Sequence, residues 1–325
     1  MVNEILNYVK ADATHIDFPV TNREEHFEWW YFDAHFDNGD FLVVMFSLND
    51  TRLKPRQPSV RLNIYPRGQS EISRIKKYTE TDVSTSDVKC DVTFGEEEYC
   101  KDCGDHYEIF TMIDGYGAKL TLNKGNHPYT SEGTDTPMPW TVAVPSGHIE
   151  GELYKNGKTI KVKGKGYHDH NWGEKSLAGM VKNWYWGKIH SPDISIDYSV
   201  IMDFEDNILQ AGALVTDSET LIISPSESMT DPENVKATAV INDIMTENIM
   251  GYTFSKSLTL KGSKGDLSYI ANIDLITLVM IEPGEFLPGE DAYRYIAKEE
   301  LIVTRSGVSQ TYLSEGLHEI VYPKK

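Results

Sequence analysis

Apolar and polar residues alternate with a period of two along nearly the whole chain, which is the pattern of half-buried β-strands. A helical period is confined to the first ten residues and to Lys175–Val181. Turn signals such as Asp37-Asn38-Gly39 and Lys155-Asn156-Gly157 separate the alternating stretches at regular intervals. The pattern therefore predicts a meander of antiparallel hairpins with few, short helices.

The spacing of the turns predicts about eight strands before residue 175 and about eight more from Asn183 to Tyr322. About eight antiparallel strands close one small barrel, and 325 residues exceed what one hydrophobic core usually organises. A short repeat supports duplication, because Glu28–His35 matches Asn183–His190. We therefore predict an all-β chain of two tandem antiparallel β-barrels, over residues 15–175 and 176–325.

The net charge of the chain limits the kinds of molecule it is expected to bind. The chain carries 31 Lys and Arg against 50 Asp and Glu, a formal net charge of −19, and the acidic residues are spread along its length. This balance opposes binding to nucleic acid or anionic lipid. Neither a secretory signal pattern nor an apolar run of about 18 residues is present, so we expect a cytoplasmic protein without membrane insertion.

The densest group of chemically active residues lies at 164–174. In an extended strand its polar side chains fall on two faces, Tyr167, Asp169 and Asn171 on one and His168, His170 and Trp172 on the other. Buried carboxyl and imidazole groups are costly unless paired, so such a cluster usually serves chemistry that uses shifted pKa values. A buried, fully satisfied network with a structural role is the alternative.

Two aromatic strands accompany this segment. Residues 25–35 carry large apolar side chains on both faces, as in a barrel wall, although ordinary two-sided packing explains them equally. Residues 183–188 follow the polar cluster and place Trp184, Trp186 and Lys188 on one face. An acid beside an aromatic wall suits a reaction through a carbocation, because a cation over a ring face gains ~0.5 to 2 kcal/mol.

Two metal-binding hypotheses are weaker. Cys90, Cys100, Cys103 and His106 offer four ligand types in a short stretch, but Cys90 has no near partner of the kind zinc knuckles use. The alternative is a reduced hairpin with a CxxC turn. A His168-x-His170 pair could also hold zinc, with Glu28 or His190 as a third ligand. We expect no metal and no cofactor.

The chain resembles the carotenoid 1,2-hydratases (hydroxyneurosporene synthases), kievitone hydratase and the AttH-like proteins. The residues that carry the resemblance are Glu28–Tyr31, Tyr167–Gly173, Trp184–Trp186 and Gly316–Glu319. The resemblance implies a double lipocalin-like (calycin) fold with a ligand cavity. For the hydratases it also implies cofactor-independent addition of water across an isoprenoid double bond, whereas related folds include pericyclases.

These observations predict a hydratase-like enzyme that adds water to a C=C bond of a small apolar, isoprenoid or polyketide-like molecule by acid catalysis. We expect Asp169 to be the general acid, His168 or His170 to position or deprotonate the water, and Glu28 to be the alternative acid. The residues expected to contact the ligand are aromatic: Trp30, Tyr31, Tyr167, Trp172, Trp184, Tyr185 and Trp186.

Three other functions are compatible with the same residues. A pericyclase or cyclase would shape a polyene without needing the acid, and a non-enzymatic lipocalin-like carrier would bind a small hydrophobic ligand without turnover. A zinc-dependent enzyme is the third. In each ligand-based reading the partner is a terpenoid, carotenoid or polyene.

Overall fold

A computed structural model describes residues 8–16, 21, 24–125, 127–131, 138–175, 177–217, 220–224, 238–249, 251–282 and 290–323. Of these residues, 68% are in strands and 3% in helices. Helix is limited to a turn at 8–11 and the 3-10 turn Glu80–Asp82 within these residues. The chain forms two compact units, the first ending at Leu177 and the second beginning at Ala178.

The first unit contains a twelve-stranded antiparallel sheet. Its strands are β1 (Phe27–Phe36), β2 (Phe41–Ser47), β3 (Ser59–Tyr65), β4 (Ile72–Lys77), β5 (Val83–Ser84), β6 (Asp91–Phe94), β7 (Glu98–Asp102), β8 (His106–Ile113), β9 (Tyr116–Asn123), β10 (Tyr129–Thr130), β11 (Trp140–Lys155) and β12 (Lys158–Gly173). The order is β4, β3, β2, β1, β12, β11, β9, β8, β7, β6, β5, with β10 paired to β11.

The second unit contains a nine-stranded antiparallel sheet. Its strands are β13 (Asn183–His190), β14 (Ser195–Met202), β15 (Ile208–Thr216), β16 (Leu221–Ile223), β17 (Thr238–Ile249), β18 (Tyr252–Lys264), β19 (Leu267–Glu282), β20 (Glu290–Arg305) and β21 (Val308–Pro323). The order is β16, β15, β14, β13, β21, β20, β19, β18, β17.

Both sheets follow one strand plan, in which the aromatic strand pairs with the next strand and with the last long strand of its unit. Thus β1 lies between β2 and β12, and β13 lies between β14 and β21. The fold is the predicted one: all-β, with two tandem lipocalin-like barrels and few short helices. The strand number differs from the predicted eight per barrel because two-residue strands such as β5 and β10 show no readable alternation.

The first sheet is strongly curled, since side chains of its outermost strand β4 reach strands far along the ladder. Arg74 lies over the ring of Tyr116 in β9, 4.4 Å from its centroid, and Lys76 donates to Glu98 of β7 at 2.9 Å. Strands β4 and β5 nevertheless form the two ends of the ladder within the described residues. The barrel is therefore curled rather than closed by hydrogen bonds.

Inside this curl lies the first hydrophobic core, to which β1 contributes Trp30, Phe32, Ala34 and Phe36. The intervening side chains Tyr31 and Asp33 point to the other face of the sheet and are also buried. Both faces of β1 are thus covered, as the sequence predicts for a barrel wall.

The segment 8–16 packs against the inner face of the first sheet. Its carbonyl groups accept hydrogen bonds from the barrel wall, Asp12 from the indole N–H of Trp30 at 3.0 Å and Ala11 from the hydroxyl of Thr141 at 3.2 Å. Ile16 joins the first core. The segment therefore brings polar groups, including the Asp12 carboxylate, into the barrel interior.

The helical prediction for Lys175–Val181 is wrong for the residues described there. They form turns and a bridge between Ala178 and Val181, and Gly179 has a φ of +86°, which ends any right-handed helical path. No helix within the described part of the chain is long and apolar enough to span a bilayer.

Candidate active site

The polar segment predicted from the sequence forms the end of β12, paired with the aromatic strand β1. Asp169 lies opposite Tyr31, His168 opposite Phe32, and His170 opposite Trp30. Because neighbouring residues of a strand point to opposite faces, Asp169 is separated from the two histidines by the sheet itself.

Asp169 lies on the face away from the first core and is 5% exposed. Its Oδ2 accepts hydrogen bonds from the indole N–H of Trp140 at 2.9 Å and from the hydroxyl of Tyr167 at 2.8 Å. Its Oδ1 is buried and has no hydrogen-bond partner among the described residues. No lysine or arginine in the described chain pairs with this carboxyl group.

These surroundings shift the Asp169 carboxyl toward its neutral form. Burial raises the pKa of Asp169 to about 6, although the hydrogen bonds from Trp140 and Tyr167 oppose the rise. The carboxyl of Asp33, also on this face, adds to it by like-charge repulsion. One oxygen is thus held in place, while the other has no hydrogen-bond partner in the part of the chain that the structure describes.

His168 points into the core, where its ring stacks on Phe32 at 3.9 Å between centroids. Nδ1 lies 2.9 Å from the carbonyl oxygen of Tyr31 and Nε2 lies 3.2 Å from Oδ2 of Asp12. Burial disfavours charge on this imidazole, but the Asp12 carboxylate outweighs it and raises the pKa of His168 to about 10. Asp12 itself is buried, and His168 holds the pKa of its carboxyl below the usual value despite that burial.

His170 also points inward and has no exposed surface. Its Nδ1 faces the carbonyl of Ala11 at 3.2 Å and its Nε2 faces Oε1 of Glu28 at 2.9 Å. Glu28 additionally accepts hydrogen bonds from the backbone amides of His15 at 2.8 Å and Ile16 at 3.1 Å. Three donors therefore hold this carboxylate, an arrangement typical of a structural anchor.

The predicted catalytic residues consequently do not form one constellation. Asp169 occupies one face of the first sheet, whereas His168, His170 and Glu28 form a buried network with the 8–16 segment on the other. A substrate that contacts Asp169 from its side of the sheet does not reach either imidazole. The expectation that His168 or His170 handles the water beside Asp169 therefore requires correction.

The predicted ligand-contacting aromatics divide in the same way. Tyr31 and Tyr167 share the Asp169 face, with ring centroids 6.3 Å apart. Trp30 is fully buried against His170, and Trp172 stacks on His15 at 3.8 Å. These two tryptophans therefore lie on the face of the sheet opposite Tyr31 and Tyr167.

The third aromatic segment belongs to the second unit. Tyr185 points into the second core, and its hydroxyl donates to the carbonyl of Ser255 at 3.2 Å. Trp184 and Trp186 lie on the opposite face, both nearly buried, and Lys188 Nζ is 5.9 Å from the Trp186 ring centroid. The predicted face of Trp184, Trp186 and Lys188 is therefore present, and Tyr185 lies on the opposite, core-facing side of the strand.

The second unit has its own buried polar groups on β21. His318 points into the core, where Nδ1 meets the hydroxyl of Tyr198 at 2.8 Å and Nε2 meets Oε1 of Glu299 at 2.8 Å. On the other face, Glu319 lies opposite Trp186 and forms an ion pair with Arg294. Gly316–Glu319, noted in the sequence only for its resemblance, thus carries a second buried histidine and carboxylate.

The four-ligand cysteine cluster considered from the sequence is split. Cys90 and Cys100 are buried in the first core with their Sγ atoms 3.8 Å apart, whereas Cys103 is exposed. Two groups within the described chain could hold a metal ion: Asp12, Cys90 and His168, all buried, and Cys103, His106 and Glu108 near the surface. The second zinc hypothesis places the ion between His168, His170 and either Glu28 or His190. In the structure His170 and Glu28 are hydrogen-bonded to each other, and His190 belongs to β13 of the second unit.

Sequence reasoning missed two residues that shape this region. Asp12 carries no recognisable motif, and Trp140 is an isolated tryptophan at the start of β11, 29 positions from Asp169. The only sequence signal for Asp33 was its place on the same strand face as Tyr31.

Curated relatives cover part of the chain. A quinolone epoxide rearrangement protein of Penicillium thymicola is 35% identical over 93 residues, 25% of this chain and 26% of that protein. A second, from Emericella nidulans, is 26% identical over 57% of this chain and 56% of its own length. A hydroxyneurosporene dehydrogenase of Chlorobaculum tepidum is 22% identical over 54% of this chain and 56% of its own length. The chain thus matches about a quarter to a half of these relatives, and no family model matches it.

Solved structures match over nearly the whole chain. An AttH protein of Nitrosomonas europaea matches with a TM-score of 0.60 and 13% identity, over 94% of this chain and 97% of that one. The chain has the AttH-like fold. Kievitone hydratase of Nectria haematococca gives a TM-score of 0.61 at 16% identity, over 96% and 97% of the two chains. CghA with Sch210972 gives 0.68 at 11% identity, over 93% and 89%.

The resemblance read from the sequence is therefore confirmed. The AttH-like fold of this chain places the quoted Tyr167–Gly173 and Glu28–Tyr31 motifs on two paired strands of the first sheet. The Trp184–Trp186 and Gly316–Glu319 motifs lie on the corresponding pair of the second sheet.

Proposed function

We propose that this AttH-like chain is a cofactor-independent hydratase-like enzyme that adds water to a C=C bond of a small apolar molecule, with Asp169 as the general acid. The observation that carries the proposal is the setting of the Asp169 carboxyl. It is buried, one oxygen is held by Trp140 and Tyr167, and the other has no hydrogen-bond partner among the described residues.

In the proposed reaction the Asp169 carboxyl donates its proton to one alkene carbon. The π electrons form the new C–H bond and leave a carbocation on the neighbouring carbon, where a water oxygen adds. The water then loses a proton, which restores the carboxyl group, so the net change is addition of one water. Tyr31 and Tyr167 lie on the same face as the acid, and their rings supply π density toward a cation formed there.

The similarity of this chain to a solved hydratase structure supports the reaction class but does not identify the substrate. Kievitone hydratase, whose name denotes a hydration, shares the fold. The partner we propose is a small hydrophobic molecule of the terpenoid, carotenoid or polyene type. The remaining residues of the predicted catalytic set, His168, His170 and Glu28, are assigned to the structure of the barrel interior.

A second candidate function is a cyclase or rearrangement enzyme. Two relatives are named quinolone epoxide rearrangement proteins, and protonation of an epoxide oxygen would use the same buried acid. The two candidates differ in the fate of water, which enters the product only in hydration.

The test is incubation of the full chain with a panel of linear terpenoid alkenes and a quinolone epoxide in H₂¹⁸O, followed by mass spectrometry. Hydration gives a product heavier by one labelled water, whereas rearrangement gives an unlabelled isomer. General acid catalysis contributes roughly 10²- to 10⁴-fold, so Asp169→Asn should lower turnover by at least about 100-fold.

Tyr167→Phe serves as the matched variant, because it removes one hydrogen bond to Oδ2 and leaves the acid in place. We expect it to lower turnover much less than Asp169→Asn. A folded Asp169→Asn protein with undiminished turnover would contradict the catalytic assignment, and binding of the same molecules without turnover would identify a carrier.

A further inference from the structure

We propose that the interior of the first barrel binds one zinc ion through Asp12, Cys90 and His168, with Cys100 as the fourth ligand. These residues come from the 8–16 segment, the approach to β6, the end of β12 and β7. They lie on the core face of the sheet, opposite Asp169, so the proposal is independent of the proposed function.

Three of the four proposed ligand atoms are already gathered, and the fourth ligand, Cys100, lies beside Cys90. One ligand atom each from Asp12, Cys90 and His168 lies within 4.8 Å of the others, and all three residues are fully buried. The Cys90 and Cys100 sulfur atoms are 3.8 Å apart. Two thiolates on a tetrahedral zinc with bonds of about 2.3 Å stand about 3.8 Å apart, so this separation matches one edge of the coordination tetrahedron.

Hydrogen bonds around the ligands orient them as zinc sites require. The carbonyl oxygen of Tyr31 can only accept, so Nδ1 of His168 carries a proton there and Nε2 is the atom directed at Asp12. The hydroxyl of Tyr107 donates to Oδ2 of Asp12 at 2.6 Å. A histidine ligand whose other nitrogen donates to a carbonyl, and a carboxylate held by a neighbouring donor, are the usual outer partners of a bound metal.

One oxygen of the Asp12 carboxylate, Oδ1, is buried without a hydrogen-bond partner among the described residues, and Nδ1 of His170 lies 3.8 Å from it. An unsatisfied oxygen in a core costs free energy, and a cation between Asp12 and the sulfur atoms would relieve it. Binding would displace one proton from Nε2 of His168 and one from each thiol, leaving a neutral imidazole, a carboxylate and two thiolates around Zn²⁺.

The near-surface group of Cys103, His106 and Glu108 provides the control. His106 is already bonded to Asp105 at 2.6 Å, and Cys103 is exposed. Cys103→Ser therefore removes a thiol of the same chain without touching the core ligands.

The experiment supplies Co²⁺ in the growth medium, because buried ligands require the ion to enter as the chain folds. The purified full chain should contain one cobalt and show a thiolate-to-cobalt charge-transfer band in the near ultraviolet, with the strong visible bands of a tetrahedral site. Zinc-grown protein should carry one zinc by native mass spectrometry. Cys90→Ser and Cys100→Ser should each lower the bound metal at least tenfold, whereas Cys103→Ser should retain it.

Far-ultraviolet circular dichroism identifies any variant that fails to fold, and the cobalt spectrum of the parent chain then decides alone. Absence of the charge-transfer band in the parent, or its loss in Cys103→Ser with retention in Cys90→Ser, would overturn the proposal. None of these measurements depends on turnover, so failure of the zinc site and failure of the Asp169 mechanism are distinguishable.

Discussion

The end of β12 and the end of β21 occupy equivalent places in the two barrels, each paired with an aromatic strand. In the first pair Asp169 lies opposite Tyr31, and in the second Glu319 lies opposite Trp186. Glu319 is neutralised by Arg294, whereas the donors to Asp169 among the described residues, Trp140 and Tyr167, are neutral. The comparison shows that one strand plan carries a carboxyl group paired with a cation in one barrel and a carboxyl group held by neutral donors in the other.

The inner faces differ as well. His168 stacks on the ring of Phe32 and takes its carboxylate partner from the 8–16 segment. His318 lies opposite Gly187, and its carboxylate partner Glu299 comes from the neighbouring strand β20. A Cβ on Gly187 would overlap Nδ1 of His318, so a glycine is needed opposite this histidine. In the first barrel the residue opposite the histidine is Phe32, whose ring stacks on His168.

The largest expected effect separates the two carboxyl groups by activity. Asp169→Asn should lower kcat/KM on a responsive substrate by at least about 100-fold. Glu319→Gln should change it less than tenfold, while lowering stability because it leaves Arg294 buried without its charge partner. Steady-state kinetics on both variants check this, and equal losses of activity would remove the distinction.

The next largest effect concerns the support under His168. Phe32→Ala should lower the free energy of unfolding by about 3–5 kcal/mol, because it opens a cavity in the first core and removes the stacked ring. Phe32→Leu, which keeps most of the apolar volume, should cost less than half as much. Urea unfolding followed by circular dichroism measures both, and a cost below 1 kcal/mol for the alanine variant would contradict the packing role.

The first unit also contains a buried ion pair, between Arg61 and Asp50, which can be compared with Arg294–Glu319 and whose contribution to stability should depend on pH. Asp50 accepts hydrogen bonds from Arg61 at 2.7 Å and Ser59 at 2.6 Å. Burial opposes its ionisation, but Arg61 and Arg52 outweigh this and lower the pKa of Asp50 below its usual 3.8. Asp50→Asn should therefore cost about 3 kcal/mol at neutral pH.

The sign of the pH dependence follows from that lowered pKa. The stabilisation from ionised Asp50 is complete above pH 3.8 and is lost as the pH falls toward the folded-state value. The stability difference between the parent chain and Asp50→Asn should thus shrink on acidification below pH 3.8. Urea unfolding at neutral and acid pH tests this, and a constant difference would show that the charge contributes nothing.

The smallest effect tests the space beside His318. Gly187→Ala should lower the free energy of unfolding by about 1–3 kcal/mol through overpacking. In a His318→Ala background the same substitution should cost clearly less, because the overlapping ring is gone. Additive costs in this double-mutant cycle would show that the glycine serves another purpose.

Much of the fold was readable from the chain. The matched aromatic segments Glu28–His35 and Asn183–His190 do occupy corresponding strands, because the same pattern of side chains suits the same place in a barrel wall. The strand number was less accessible, since very short strands contain no period. The candidate site was only half readable, because its hydrogen-bond donor Trp140 and the carboxylate Asp12 carry no local signature.

The alternation of side chains along Tyr167–Gly173 by itself determined that Asp169 and the two histidines point to opposite faces, since this follows from strand geometry in any fold. Which face became the barrel interior was decided only by the tertiary structure. His168 meets Asp12 across 156 positions of sequence, and such long-range contacts depend on how the sheet curls and where the 8–16 segment enters. The same curl left Asp169 beside Trp140 and Tyr167, where burial raises the pKa of its carboxyl group to about 6.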